Sequence, residues 1–97
     1  MRADRGRFDE ALPHYAEAVR IEPGYFIAQY GYGLVLERRH ETEAAVEHFA
    51  QAIRYFPDYP DARRHLAANL ILLGRTAEAA KVLDLSKGSQ LKLNEER

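Results

Sequence analysis

The chain has 97 residues, 46% of them apolar, which suffices for one small domain with a buried core. Charged residues make up 30% and nearly cancel to a net charge of −1, which disfavours nucleic acid or an anionic membrane as a partner. The chain has no cysteine, which excludes disulfides and thiolate chemistry; this is typical of a reducing compartment, and we expect a cytoplasmic location. The longest apolar run, 66–74, is about half of the ~20 residues that a membrane span needs.

The first predicted helix covers residues 8–21, where bulky apolar residues recur every three or four positions. This apolar stripe consists of Phe8, Leu12, Tyr15 and Val19. Pro13 lies inside the pattern, where a proline removes a hydrogen bond and clashes with the preceding turn, so we expect a frayed helix that starts near Ala11 or Leu12. The pattern shows no earlier helix to cover the stripe. We therefore expect it to pack on a missing partner, with a second copy of the chain as one candidate.

The next segment, "QYGYGLVLERR" at residues 29–39, contains Gly31 and Gly33 on either side of Tyr32. Glycines this close together favour a turn or a loop that a phosphate group can approach. No predicted strand precedes them, so the pattern is not a dinucleotide-binding fingerprint. These residues alone leave the segment ambiguous between a loop and a helix.

Two further helices follow from three- and four-residue apolar spacing. Residues 42–56 carry one apolar face, with Thr42 as the predicted N-cap and Pro57 as the residue that ends the helix. Residues 60–73 carry a stripe of leucines, and Pro60 suits the first helical position.

A fifth helix is predicted after Gly74, which is typical of a helix C-terminal cap, and Thr76 is a candidate N-cap for it. Short loops between consecutive helices favour antiparallel packing of sequential neighbours. The sequence therefore predicts an all-α chain of about five helices.

The sequence repeats itself without a gap at one constant offset, which is the separation between Ala11 and Ala45. Aligned positions include Ala11, Ala45 and Ala79; Tyr15, Phe49 and Leu83; Pro23 and Pro57; and Gly33 and Ala67. The complete middle unit reads Gln29-x2-Tyr32-Gly33-x2-Leu36, then Ala45-x3-Phe49, then Pro57. This pattern resembles the tetratricopeptide repeat, although Gln29 stands where that family has a tryptophan.

The resemblance implies a right-handed solenoid of antiparallel helix-turn-helix repeats. We expect a flexible N-terminus over residues 1–7 and a repeat domain over 8–86, followed by a tail or partial cap over 87–97. The domain divides into a partial repeat at 8–25, a full repeat at 26–59 and a third repeat at 60–86. The partial repeat lacks its first helix, so we expect the chain to be part of a larger protein or assembly.

The repeat places Gly31 and Gly33 inside a helix. Gly33 occupies the small-residue position where this helix crosses its partner, as Ala67 does one repeat later. The position equivalent to Gly31 is His65, so the repeat does not explain this glycine. Two explanations remain open, namely packing of a neighbouring ring and close approach of a ligand backbone.

The resemblance also implies a binding surface, because the first helices of such repeats line a concave groove. Mapped onto helical faces, the implied groove residues are Ile27, Tyr30, Leu34, Arg38, Asp61, Arg64, Ala68 and Ile71. Tyrosine and arginine are common interface anchors. The alternative is that Tyr30 and Leu34 only pack onto neighbouring helices.

Catalytic and metal-binding patterns are not evident in the sequence. The four histidines lack a metal-ligand spacing and are interpreted as surface residues. No nucleophile–base pairing and no phosphate-binding loop occurs, so we predict neither an enzyme nor a cofactor. The pairs Arg38-Arg39 and Arg63-Arg64, near Tyr30 and Tyr32, offer a nucleic-acid hypothesis, but scattered pairs are more typical of solvated helix faces.

Three functions remain as hypotheses. The first is a protein-interaction module that binds a peptide or a partner helix in the groove. The second is a homo-oligomerising element that associates through Phe8, Leu12, Tyr15 and Val19. The third, least favoured by the charge balance, is an RNA-binding helical repeat.

Overall fold

The computed structural model describes the backbone of residues 2–86 and the side-chain surroundings of residues 10–83. This part of the chain contains five α-helices, α1 (Arg2–Ile21), α2 (Phe26–Arg38), α3 (Thr42–Tyr55), α4 (Pro60–Leu72) and α5 (Thr76–Ser86). Each consecutive pair of helices packs together. The predicted all-α helix-turn-helix solenoid is confirmed.

The core lies between α2, α3, α4 and α5. Its buried residues are Leu36, Ala45, Val46, Phe49, Leu66, Ala67, Leu70 and Ala79. Phe49 is the largest side chain in the described part of the chain that is fully buried. Within α3 and α4 these residues recur at three- and four-residue steps, such as Ala45 to Phe49 and Leu66 to Leu70, so the apolar periodicity of these two helices corresponds directly to the core.

The turns after α2 and α4 have the same geometry. His40 and Gly74 occupy equivalent positions in successive repeats, and both have left-handed backbone conformations, with φ angles of 64° and 78°. After α4, the Gly74 N–H donates to the Ile71 carbonyl at 2.9 Å and the Arg75 N–H to the Leu70 carbonyl at 2.8 Å. This is a Schellman motif, so the predicted role of Gly74 as a C-terminal cap is confirmed.

The predicted late start of the first helix is wrong. α1 begins at Arg2 and continues through Pro13 to Ile21, so residues 2–7 are helical. Proline has no N–H, so the carbonyl four residues before Pro13 loses its helical hydrogen bond. Pro13 is exposed, and a carbonyl on the exposed side of a helix can bond to water instead. The predicted domain limits stay a prediction, and residues 87–97 lie outside the described part of the chain.

The predicted N-cap of α3 is also wrong. Thr42 is the first helical residue, and Glu41 occupies the N-cap position without a side-chain capping bond. α4 begins at Pro60 as predicted, because the missing proline N–H has no helical partner at this position.

Candidate partner-binding surface

The residues predicted to line a groove lie on α2 and α4. Those that are exposed are Ile27, Arg38, Asp61, Arg64, Ala68 and Ile71, while Tyr30 and Leu34 are half-buried. Ile27 and Ile71 are each 53% exposed, a large fraction for aliphatic side chains of this size. The two helix faces therefore present apolar surface to solvent.

Tyr30 lies between α2 and its neighbours. Its ring centroid is 5.7 Å from that of Phe49, 5.0 Å from that of Tyr59 and 5.8 Å from that of His65. Burial raises the pKa of the Tyr30 hydroxyl, and the carboxylate of Asp61 raises this pKa further. Tyr30 thus packs on neighbouring elements, as the alternative interpretation held, and it also keeps part of its ring at the surface.

The ionic side chains around Tyr30 pair with one another. Arg64 forms an ion pair with Asp61 one turn earlier on α4. Across the two helices, His65 Nδ1 lies 2.9 Å from a carboxylate oxygen of Glu37. The charges of this surface are therefore largely compensated within the chain.

Aromatic side chains continue the surface beyond the predicted groove residues. The rings of Phe26 and Phe56 stack with centroids 4.5 Å apart, and Tyr59 meets Phe26 edge-on at 5.6 Å. Together with Tyr30 these three residues form what we call the aromatic shelf. Sequence reasoning missed Phe26 and Tyr59 as surface residues, although aromatic residues clustered around the loop from 56 to 59 were a signal for it.

The buried polar side chains Gln29 and Arg63 join each repeat to the preceding loop. Gln29 Nε2 donates to the Pro23 carbonyl at 2.8 Å, and Arg63 Nε donates to the Pro57 carbonyl at 2.9 Å. These two bonds occupy equivalent positions in successive repeats. Arg63 is only 7% exposed, so its interpretation as part of a solvated basic pair is wrong.

Two histidines are also better packed than expected. His48 is half-buried, stacks on Tyr32 with centroids 4.0 Å apart and bonds through Nδ1 to Gln29 Oε1 at 2.8 Å. Because the amide nitrogen of Gln29 donates to Pro23, its oxygen accepts, so Nδ1 of His48 carries the proton. Burial lowers the pKa of His48. His65 is half-buried against Glu37, so both residues are more buried than the surface interpretation implied.

Within the described residues, no three His, Cys, Asp or Glu side chains lie together as a metal site requires. Over the same range, no helix has both the length and the apolar character that a membrane crossing needs.

Comparison with known protein families gives two matches along the chain. A family model described as tetratricopeptide repeat matches residues 36–90, more than half of the chain, and a second model with the same description matches residues 2–49. The chain belongs to the tetratricopeptide repeat family. Tetratricopeptide repeats are scaffold repeats without catalytic machinery of their own, and the family supports protein interaction as the general class of function.

Tetratricopeptide repeat protein 13 of Homo sapiens is 34% identical over 91 residues, which are 89% of this chain and 10% of that protein. The chain thus spans about a tenth of the length of this relative. MamA AMB-1 superposes with a TM-score of 0.77 at 20% identity, covering 86% of this chain and 45% of that one. MamA MSR-1 gives 0.75 at 19% identity, covering 89% and 49%. At these identities the two solved structures support the fold alone.

The two glycines of α2 make room for rings in this tetratricopeptide repeat. A Cβ atom on Gly33 would lie 2.7 Å from the Phe49 ring, and one on Gly31 would lie 2.5 Å from the Tyr15 ring. The close crossing predicted at Gly33 is confirmed. For Gly31, packing of a neighbouring ring is confirmed as the explanation.

The same contact changes the interpretation of the apolar stripe on α1. Tyr15 packs against α2 of the same chain, and Leu12 packs against the core cluster. These two residues are therefore partly covered within the chain, and their packing on a missing partner stays a prediction. Val19 is half-buried, and the side chain of Phe8 lies outside the described residues.

Proposed function

We propose that the chain is a protein-interaction scaffold that binds a peptide or a partner helix on the exposed faces of α2 and α4, within a larger protein or assembly. The observation that carries the proposal is the exposure of two isoleucines, Ile27 on the face of α2 that also holds Tyr30 and Leu34, and Ile71 near the end of α4, each 53% exposed. Full burial of an exposed isoleucine side chain is worth about 1.5–3 kcal/mol, so burying the exposed half of each of these two side chains in an interface would contribute about 1 kcal/mol to binding.

The polar surroundings support the same proposal. Asp61 and Arg64 form an ion pair, and the Glu37 carboxylate is hydrogen-bonded to His65, so these polar groups already have partners within the chain. Charges that are already paired suit a protein interface, because unpaired charged residues are depleted at interface cores.

The two alternative functions gain no support from the packing. Leu12 and Tyr15, half of the predicted self-association stripe, contact helices of their own chain. Of the arginines in the nucleic-acid hypothesis, Arg63 is buried against backbone carbonyls and Arg64 is paired with Asp61. Light scattering after size exclusion and RNA binding at low salt test these alternatives directly.

The proposal is tested with a double variant, Ile27→Asp with Ile71→Asp, and a matched control, Ile21→Asp. Ile21 is 67% exposed but lies at the end of α1, outside the proposed face. Proteins captured from a native extract by the wild-type chain should be lost by at least about tenfold with the double variant and retained by the control. Equal capture by all three proteins would exclude this face as the binding surface.

A further inference from the structure

The aromatic shelf, formed by Phe26, Tyr30, Phe56 and Tyr59, shares Tyr30 with the proposed binding face. Its rings touch one another, with centroids 4.5 Å apart for Phe26 and Phe56 and 5.0 Å apart for Tyr30 and Tyr59. Rings in direct contact leave no gap for a cation to enter between them, so the shelf is not a cage for an ammonium group. Phe56 remains 42% exposed, and the other three rings are half-buried. The shelf therefore offers ring surface on its outer side.

The two tyrosines of the shelf add hydrogen-bond donors to this ring surface. Among the described residues, neither the Tyr30 nor the Tyr59 hydroxyl has a hydrogen-bond partner. In the same part of the chain, Asn69 Oδ1 is the side-chain atom that is both unpaired and buried, so the two unpaired hydroxyls are not buried. Both hydroxyls are therefore open to solvent. Burial and the nearby Asp61 raise the pKa of each hydroxyl, which favours the protonated form that can donate. The shelf thus presents two O–H donors.

These features discriminate between kinds of peptide. A helical partner bonds its own carbonyl groups along its backbone and leaves few acceptors for two isolated donors. A polyproline II segment has no internal hydrogen bonds, so all its carbonyls need external donors, and its prolyl rings pack on aromatic side chains. Arg64 is already paired with Asp61, and Glu37, hydrogen-bonded to His65, adds a carboxylate nearby, which together disfavour a phosphorylated segment.

We propose that the aromatic shelf binds an extended, proline-containing peptide in the polyproline II conformation. The prolyl rings pack on Tyr30, Phe56 and Tyr59, and the two tyrosine hydroxyls donate to carbonyl groups of the peptide. This inference rests on the proposed function, because it names the class of partner for the same side of the molecule.

The experiment measures fluorescence anisotropy of three labelled ten-residue peptides titrated with the full chain to about 1 mM. One peptide is all proline, one is a glycine–serine peptide, and one is an amphipathic helix former. The variants are Tyr30→Phe and Tyr59→Phe, which keep the rings and remove the hydroxyls. The matched control is Tyr55→Phe, since Tyr55 is 47% exposed but lies outside the shelf.

We expect the proline peptide to bind more tightly than the glycine–serine peptide. Each loss of a shelf hydroxyl should weaken this binding about threefold to tenfold, whereas the control should stay within about twofold of the wild type. Tyr59→Ala, which removes the ring, should weaken it further. Circular dichroism confirms that each variant is folded.

Several results would overturn the inference. Proline binding that is absent, or that is unchanged in both shelf variants, excludes the shelf as a polyproline II site. If the helical peptide binds more tightly than the proline peptide, and the double variant Ile27→Asp with Ile71→Asp loses this binding, the inference is excluded and the proposed function is supported. A hydroxyl-dependent change in self-association, with no peptide binding, assigns the shelf to a second copy of the chain and also excludes it.

Discussion

Replacement of Gly33 by alanine tests the close crossing of α2 and α3. The added Cβ would lie 2.7 Å from one ring carbon of Phe49 and 2.8 Å from another, whereas ordinary contacts are 3.4–4 Å. Phe49 is 0% exposed, so its ring cannot move into solvent. Overpacking costs about 1–3 kcal/mol, and a contact this short against a ring that cannot move away lies in the upper part of that range, at about 2–3 kcal/mol. The better helix propensity of alanine returns about 1 kcal/mol. The expected net loss is about 1–2 kcal/mol, which lowers the melting temperature by about 5–15 °C.

The repeat itself supplies the compensating change. The positions equivalent to Gly33 and Phe49 carry Ala67 and Leu83, so the third repeat has the larger residue on one helix and the smaller on the other. Phe49→Leu alone should be destabilising because it leaves a cavity. Combined with Gly33→Ala, it should cost less than the sum of the two single changes by about 1–2 kcal/mol.

The assay is urea unfolding of the wild type, the two single variants and the double variant, followed by circular dichroism. All four proteins should unfold with similar dependence on urea, which permits comparison of their free energies. A Gly33→Ala protein as stable as the wild type would refute the clash. Strictly additive free energies would show that the two side chains do not compete for the same space.

Two further predictions concern buried polar groups. Asn69 is 1% exposed, its Nδ2 donates to the His65 carbonyl at 2.7 Å, and its Oδ1 is unpaired. The equivalent residue in the preceding repeat is Val35, so Asn69→Val, which removes the unpaired oxygen, should raise the free energy of unfolding in urea by about 1 kcal/mol. A decrease would show that the bond from Nδ2 to His65 outweighs the cost of the unpaired oxygen. Burial lowers the pKa of His48 in the folded state, so the unfolded chain binds the proton more readily than the folded chain does. The free energy of unfolding should therefore fall as the pH drops below about 6.5. His48→Gln should reduce this loss of stability between about pH 7 and 5. The control His14→Gln, at the exposed equivalent position, should leave it unchanged. Parallel curves of unfolding free energy against pH for the wild type and both variants would contradict the linkage.

Much of the fold was predictable because it follows from local chemistry that repeats along the chain. The spacing of Ala45, Phe49 and Ala52 indicated both a helix and the side of it that is buried. Pro60 and Gly74 marked a start and a stop of α4 through their own backbone preferences. The constant offset between repeats placed Gly33 inside a helix, against the ordinary interpretation of paired glycines.

Other features depended on contacts between helices, which no single segment specifies. Pro13 is accommodated because the interrupted part of α1 faces solvent. Arginine is usually a surface residue, but the packing of α4 brings the guanidinium of Arg63 to the carbonyls of Pro57 and Val82. Tyr15 has the spacing of an uncovered stripe, but α2 covers it at Gly31.

The sequence by itself determined the five helices, their order and the repeat that relates them, because periodicity and cap residues act within one segment. The tertiary structure alone decided which faces are covered, which polar groups are paired and where aromatic rings from separate segments meet. The aromatic shelf illustrates the difference, since Phe26 begins α2 and Phe56 follows α3, yet their ring centroids lie 4.5 Å apart in the fold. Their contact depends on the register in which successive helices pack, and this register is a property of the whole solenoid.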